Sequence, residues 1–207
     1  MRLWIICSGE AAIEKPRRGT LGDYNACCER ALDGGAVLAQ KRLVRANGRE
    51  VYCSPRLCAR ETAEALIPDA EISVEPLLDE CALPAKRSER VLPFWLWSFI
   101  VWLRRLFGEG KKTARREADE LVDLLEKRGG DCILLSHPAR ITALMDALRA
   151  RGYCAQRTGF GRVRPGEQML LSRRDEHCGG CAHNCLLSNP GCNIGRDKAK
   201  RQKAGHI

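Results

Sequence analysis

The sequence holds no apolar run long enough to span a bilayer. Its first apolar stretch, Leu3 to Cys7, is only five residues long, too short for the core of a secretory leader as well. A reducing, cytoplasmic setting is therefore the expectation. No internal repeat is present, which sets aside solenoids and propellers. Negative charge is in deficit: 26 Asp and Glu stand against 35 Lys and Arg, for a formal net charge of +9. That balance favours acidic partners such as phosphate esters, nucleic acid or anionic lipid, without choosing among them. The apolar fraction of 44% is that of a folded chain, so disorder is not the reason for the charge. A length of 207 residues suits one ordinary domain with an appendage.

Cysteine is plentiful, at 12 residues. Without a leader segment, a disulfide scaffold is not its expected use. Four of the thiols form a compact set in the last thirty residues: Cys178, Cys181, Cys185 and Cys192, with Gly179-Gly180 and Pro190-Gly191 supplying turns between them. Thiolates at this spacing point to a structural zinc or an iron–sulfur cluster, and spacing alone does not choose between them. His177 and His183 lie close enough to replace or orient a ligand. A regulatory thiol set, disulfides or a metal-free tail are the alternatives. The basic run Arg196–Lys203 reads as a solvated end, and nucleic acid is not an expected partner.

Elsewhere short apolar runs alternate with helical patterns. Strands are expected at Leu3–Cys7, Val51–Cys53, Ile72–Val74, Cys132–Ser136 and Gln168–Ser172. A loose helical pattern covers residues 22–40. Ser54-Pro55 reads as the N-cap and first residue of a helix reaching Leu66. Ala114–Arg128 is amphipathic, and a further helix follows His137-Pro138 to about Arg151. This alternation predicts a three-layer α/β sandwich around a mostly parallel sheet, residues 1–172, with a Cys-rich tail over 173–207. Ser8, Ser54 and His137 each follow a strand, so one pocket at the strands' carboxyl ends can hold all three. Residues 84–110 carry three of the four tryptophans and read as a helical insertion packed over the core. An interfacial membrane helix or a partner-binding face is the alternative there.

Four segments together resemble the histidine phosphatase superfamily, the phosphoglycerate-mutase-like proteins. The opening strand leading to Cys7-Ser8-Gly9-Glu10 resembles the family's strand followed by Arg-His-Gly-Glu. Ser54-Pro-Arg-Leu-Cys58-Ala-Arg-Glu-Thr62-Ala resembles its Ser-x-x-x-Arg-Ala-x-x-Thr-Ala helix. Leu78-Asp-Glu80 resembles the segment bearing its acid, and Ser136-His137-Pro138 the strand end bearing its second histidine. The resemblance covers about residues 1–172 and implies a phosphohistidine enzyme with two arginines on the phosphoryl group.

The departures from that pattern fall on the chemistry. Ser8 stands at the nucleophile position, and Cys7 and Cys58 at the two arginine positions, leaving His137 and Glu80 as vestiges of a catalytic set. Phosphoryl transfer depends on charge stabilisation, and a thiol does not replace a guanidinium fork. Arg56 and Arg60 each lie two residues from Cys58, about 200° away on a helix, and are expected to point away from the pocket. Arg140 can reach inward.

The resemblance therefore implies a phosphatase fold without its turnover, binding a phosphorylated small molecule or a protein partner. An active phosphomonoesterase with a rearranged nucleophile, Ser8 or Cys7 with His137 as base, is the second expectation. A metal- or redox-responsive interaction module is the third. Cys7, Ser8, Gly9, Cys58 and His137 are the candidate ligand-binding residues. Cys7, Cys58, Cys81 and His137 are either buried filler or a soft-ligand set.

Overall fold

A computed structural model describes residues 1–11, 13–38, 43–81, 88–107, 109–156 and 163–173. Six strands form the central sheet: β1 (Arg2–Cys7), β2 (Glu50–Cys53), β3 (Ile72–Val74), β4 (Cys132–Ser136), β5 (Tyr153–Gln156) and β6 (Gln168–Arg173). Their spatial order is β3-β2-β4-β1-β6-β5. The first four run parallel, and β6 and β5 complete the sheet antiparallel. Among the described residues, five α-helices surround it: α1 (Leu21–Leu32), α2 (Leu57–Leu66), α3 (Phe94–Phe107), α4 (Glu109–Arg128) and α5 (Pro138–Ala150).

The layers follow from the two-residue period of the strands. Leu3, Ile5 and Cys7 of β1 and Cys132 and Leu134 of β4 face one side, where α4 supplies Leu121, Val122 and Leu125 and α5 supplies Leu144 and Leu148. The intervening residues, Ile6, Ile133 and Leu135, face the other side and meet Ala63 and Leu66 of α2. Burying each such aliphatic side chain is worth about 1.5–3 kcal/mol, so both faces of the sheet contribute to stability. The expected three-layer sandwich with a mostly parallel sheet is the fold observed.

Several local readings change. The helix expected over residues 22–40 ends at Leu32, with Asp33 as its C-cap. α4 begins at Glu109, ahead of the expected Ala114, and follows α3 almost directly. β5 was not expected; its sequence, Tyr-Cys-Ala-Gln, lacks a clear apolar alternation, and it lies at the sheet edge beside β6. The N-cap of α2 is Arg56, not Ser54, and it makes no side-chain capping bond.

The tryptophan-rich segment is helical and packs on the body by one face. Trp97 and Val101 bury themselves against Leu21 of α1. The Trp97 indole Nε1 donates to the Gly19 carbonyl at 2.8 Å. Gly19 is required by this approach: a Cβ there would sit 2.9 Å from Phe94 Cε2. The next residue starts α1 with a capping box, Thr20 and Asp23 bonding each other's backbone amides. Among the described residues, no helix is long and apolar enough to cross a membrane.

Candidate functional site

The carboxyl ends of β1, β2 and β4 converge. Ser8 N donates to Ser136 O at 2.8 Å, and Ser54 N donates to Leu135 O at 3.0 Å. These bonds carry the parallel ladder just past the strands and fix where the following side chains point. His137 comes next after β4, with Pro138 opening α5. Its ring reaches Ser8 Oγ from Nδ1 at 3.1 Å and Ser54 Oγ from Nε2 at 2.9 Å. Cys58 Sγ lies 3.9 Å from the same Nδ1. Ser8, Ser54 and His137, expected to share one end of the sheet, do meet there, and Cys58 lies beside them.

The meeting point is closed. Ser8 is 3% exposed, His137 1% and Ser54 fully buried. A neutral imidazole donates from one nitrogen and accepts at the other, and each flanking hydroxyl can do either. The trio therefore satisfies itself without water or ligand. Burial pushes the His137 pKa down to about 4; Asp79 opposes that shift, and the nearby Arg56 and Arg140 guanidiniums reinforce it. Ser54 Oγ also accepts from Arg56 N at 3.3 Å, just ahead of α2, which begins at Leu57 with Arg56 as its N-cap.

The backbone that could cradle an anion is occupied too. Gly9 N donates to Thr62 Oγ1 at 2.9 Å, and Thr62 Oγ1 donates in turn to Cys58 O at 2.6 Å. A Cβ at Gly9 would lie 2.9 Å from the Val37 carbonyl, so the chain passes too closely there for any larger residue. Thr62 belongs to the helix motif quoted above, yet nothing in its spacing announced that it closes on Gly9.

The thiols behave as core atoms. Cys7 is fully buried in the cluster beneath α4 and α5. Burial first, then the negative charge of Glu80 and Glu167, pushes its pKa up to about 12. Cys58 is pushed up to about 11, again chiefly by burial, against a bond from Ser8 that pulls it down. Both stay protonated at neutral pH, whereas metal binding and nucleophilic attack need thiolates. Among the described residues, no group of three His, Cys, Asp or Glu side chains is placed to hold a metal ion. The soft-ligand set of Cys7, Cys58, Cys81 and His137 is accordingly not assembled as a site. Cys178, Cys181, Cys185 and Cys192 lie outside the described residues.

The arginines nearby are mostly engaged, but the buried Arg140 Nη1 has no hydrogen-bond partner among the described residues. Arg60 is exposed, as expected. Arg56 does not follow the helical wheel, because its backbone is extended (φ −70°, ψ 143°). Its Nε donates to Asp79 at 2.9 Å, and Nη1 lies 3.2 Å from Glu29 and 3.5 Å from Asp33. Arg140 does reach inward and is buried. Its Nε donates to the Asp79 carbonyl at 2.7 Å and its Nη2 to Glu117 at 2.6 Å. Asp79, which joins both arginines, was not singled out by sequence; only its place between Leu78 and Glu80 hinted at it. Glu80 keeps close to the site, folding back so that its Oε1 accepts from Cys81 N at 2.8 Å.

A fold and a strand-end histidine of this kind define a class before they define a protein. No protein-family model matches the chain, and no curated protein does. Solved structures do match. Phosphoglycerate mutase from Thermus thermophilus superposes with a TM-score of 0.51 at 19% identity, covering 82% of this chain and 92% of that one. TTHB049 from the same organism gives 0.50 at 18%, with the same coverage. Likeness at this identity establishes the fold: the chain has the phosphoglycerate-mutase-like, histidine-phosphatase fold that its motifs resemble.

Proposed function

We propose that this protein is a catalytically silent relative of the histidine phosphatases, which works by binding a partner. The observation that carries the proposal is the closed trio of Ser8, His137 and Ser54. A nucleophile needs an accessible path and a base whose pKa lies near the working pH. Ser8 has neither: it is buried, and its neighbouring imidazole is a weak base. The residues in the two arginine positions are protonated thiols, so nothing there stabilises the equatorial oxygens of a phosphoryl group.

Of the two ligands expected, the surroundings favour a protein or surface partner over a phosphorylated small molecule. Glu80, Glu167 and Asp33 act on the thiols electrostatically, and Arg56 is held among three carboxylates. A phosphate dianion entering here would face that negative charge, with Arg56 engaged and only the Arg140 Nη1 left without a partner among the described residues. The test is turnover of an aryl phosphate by the purified protein beside His137→Ala and Ser8→Ala, with inorganic phosphate titrated calorimetrically. We expect no turnover above either variant and no phosphate binding. Turnover lost in both variants would instead establish the rearranged phosphomonoesterase.

The tail supports a separate part of the proposal. Its C-x2-C-x3-C-x6-C spacing suits a closed four-thiolate site, holding zinc or an iron–sulfur cluster through Cys178, Cys181, Cys185 and Cys192. Metal analysis and the visible absorption of anaerobically purified protein decide it. A stoichiometric metal lost in Cys178→Ser is the expected result, and no metal in either preparation would remove the idea.

A further inference from the structure

α3 is seated by one face and bare on the other. Phe94, Trp97 and Val101 turn inward. Trp95, Phe99 and Trp102, at i, i+4 and i+7, form a single stripe on the outer face. They are 70%, 49% and 51% exposed, and the Phe99 and Trp102 rings stack with centroids 5.8 Å apart. Single exposed apolar residues are ordinary, whereas a contiguous aromatic patch marks a docking surface.

The chemistry around the stripe selects the occupant. Residues 88–116 contain seven Lys or Arg and two Asp or Glu, so this short stretch holds more than half of the chain's net charge of +9. Arg90, Arg104, Lys111, Lys112, Arg115 and Arg116 are exposed. Lys111 and Lys112 lie in the first turn of α4, immediately beyond the end of α3. A protein partner would have to combine an apolar groove with an acidic rim to match both the rings and so strong a single sign of charge. Nucleic acid would reward the cations, but here they flank the rings instead of interleaving with them. An anionic bilayer satisfies both, since indoles settle at headgroup level and Lys and Arg meet the lipid phosphates. A spanning role is excluded for a helix of 14 residues, where about 20 are needed.

We propose that α3 lies flat on anionic phospholipid, with Trp95, Phe99 and Trp102 at the headgroup–acyl boundary and the start of α4 against the lipid phosphates. This surface is independent of the buried Ser8–His137 site and holds whether or not that site turns over. The test uses the full chain, tail included, in sedimentation with phosphatidylcholine vesicles with and without roughly a third phosphatidylglycerol.

Binding to the anionic vesicles, with a blue shift in tryptophan emission, is expected. A Trp95→Ser, Phe99→Ser, Trp102→Ser variant loses more than about tenfold in partitioning. Lys111→Glu and Lys112→Glu each lose about fivefold, which keeps the test open should the triple variant fold poorly. Three results would overturn the proposal. The parent could ignore anionic vesicles. The triple variant could bind as tightly as the parent, placing the affinity in the basic tail. Or the parent could be a lipid-indifferent dimer that the triple variant converts to monomer, making a second copy the occupant.

Discussion

At the strand ends the protein buries a histidine and two serines; on α3 it leaves two tryptophans and a phenylalanine in water. Both places invert the usual partition of polar and apolar groups, and they do so with different degrees of completion. The buried trio is self-sufficient: each imidazole nitrogen has a hydroxyl, and the backbone around it is bonded. The exposed stripe is unfinished, because nothing in the described residues covers it. On the functions proposed above, the closed polar core no longer meets ligands, whereas the open apolar face does.

That contrast can be broken most forcefully within α3 itself. Trp97→Ala removes an inward ring and its bond to Gly19, and is expected to cost about 4 kcal/mol in urea unfolding. The next effect belongs to the buried trio. The imidazole titrates near 6.5 in the unfolded chain and about 4 when folded, so the unfolded state takes up a proton first as pH falls. Stability is full above 6.5, declines by about 3 kcal/mol down to pH 4 and then levels off with respect to this group. Unfolding free energies measured across that range should show the decline, and His137→Gln should flatten it. Ser54→Ala leaves the buried Nε2 without its hydroxyl and is expected to lose about 1–2 kcal/mol at pH 7. The smallest effect returns to α3: Trp95→Ser, only two residues from Trp97, should change the urea midpoint by no more than about 0.5 kcal/mol equivalent. Equal losses at Trp95 and Trp97 would erase the distinction between seated and bare faces.

The fold was readable because its signals are local and periodic. Cys132–Leu135 is apolar throughout and the strand it opens, ending at Ser136, is buried on both faces, as a central parallel strand must be. The co-location of Ser8, Ser54 and His137 followed from one rule, that side chains after parallel strands share an end of the sheet. The rule gives place but not accessibility, so the sealing of the pocket was invisible. Arg56 shows why rotation arguments fail at a boundary: the wheel assumed helical backbone one residue before the helix began. Ser54 shows a cap reading that misses because the helix begins three residues later, at Leu57, while the hydroxyl meets His137, a contact no local pattern announces. The split between Trp95 and Trp97 was present in the sequence as a phase, but the phase became meaningful only once Leu21 fixed which side was inward.

The position of β1 bears on how the chain is made. It sits inside the sheet, paired on one side with Cys132–Ser136 and on the other with Gln168–Arg173. Its ion pair with the foot of β4, Arg2 to Asp131, closes a separation of 129 residues. On a ribosome, then, an early apolar strand emerges long before either neighbour exists, and must be kept from premature association while the rest is translated. Slowed synthesis or a shortage of holding chaperones should therefore reduce the yield of this protein more than changes among the buried side chains at its strand ends.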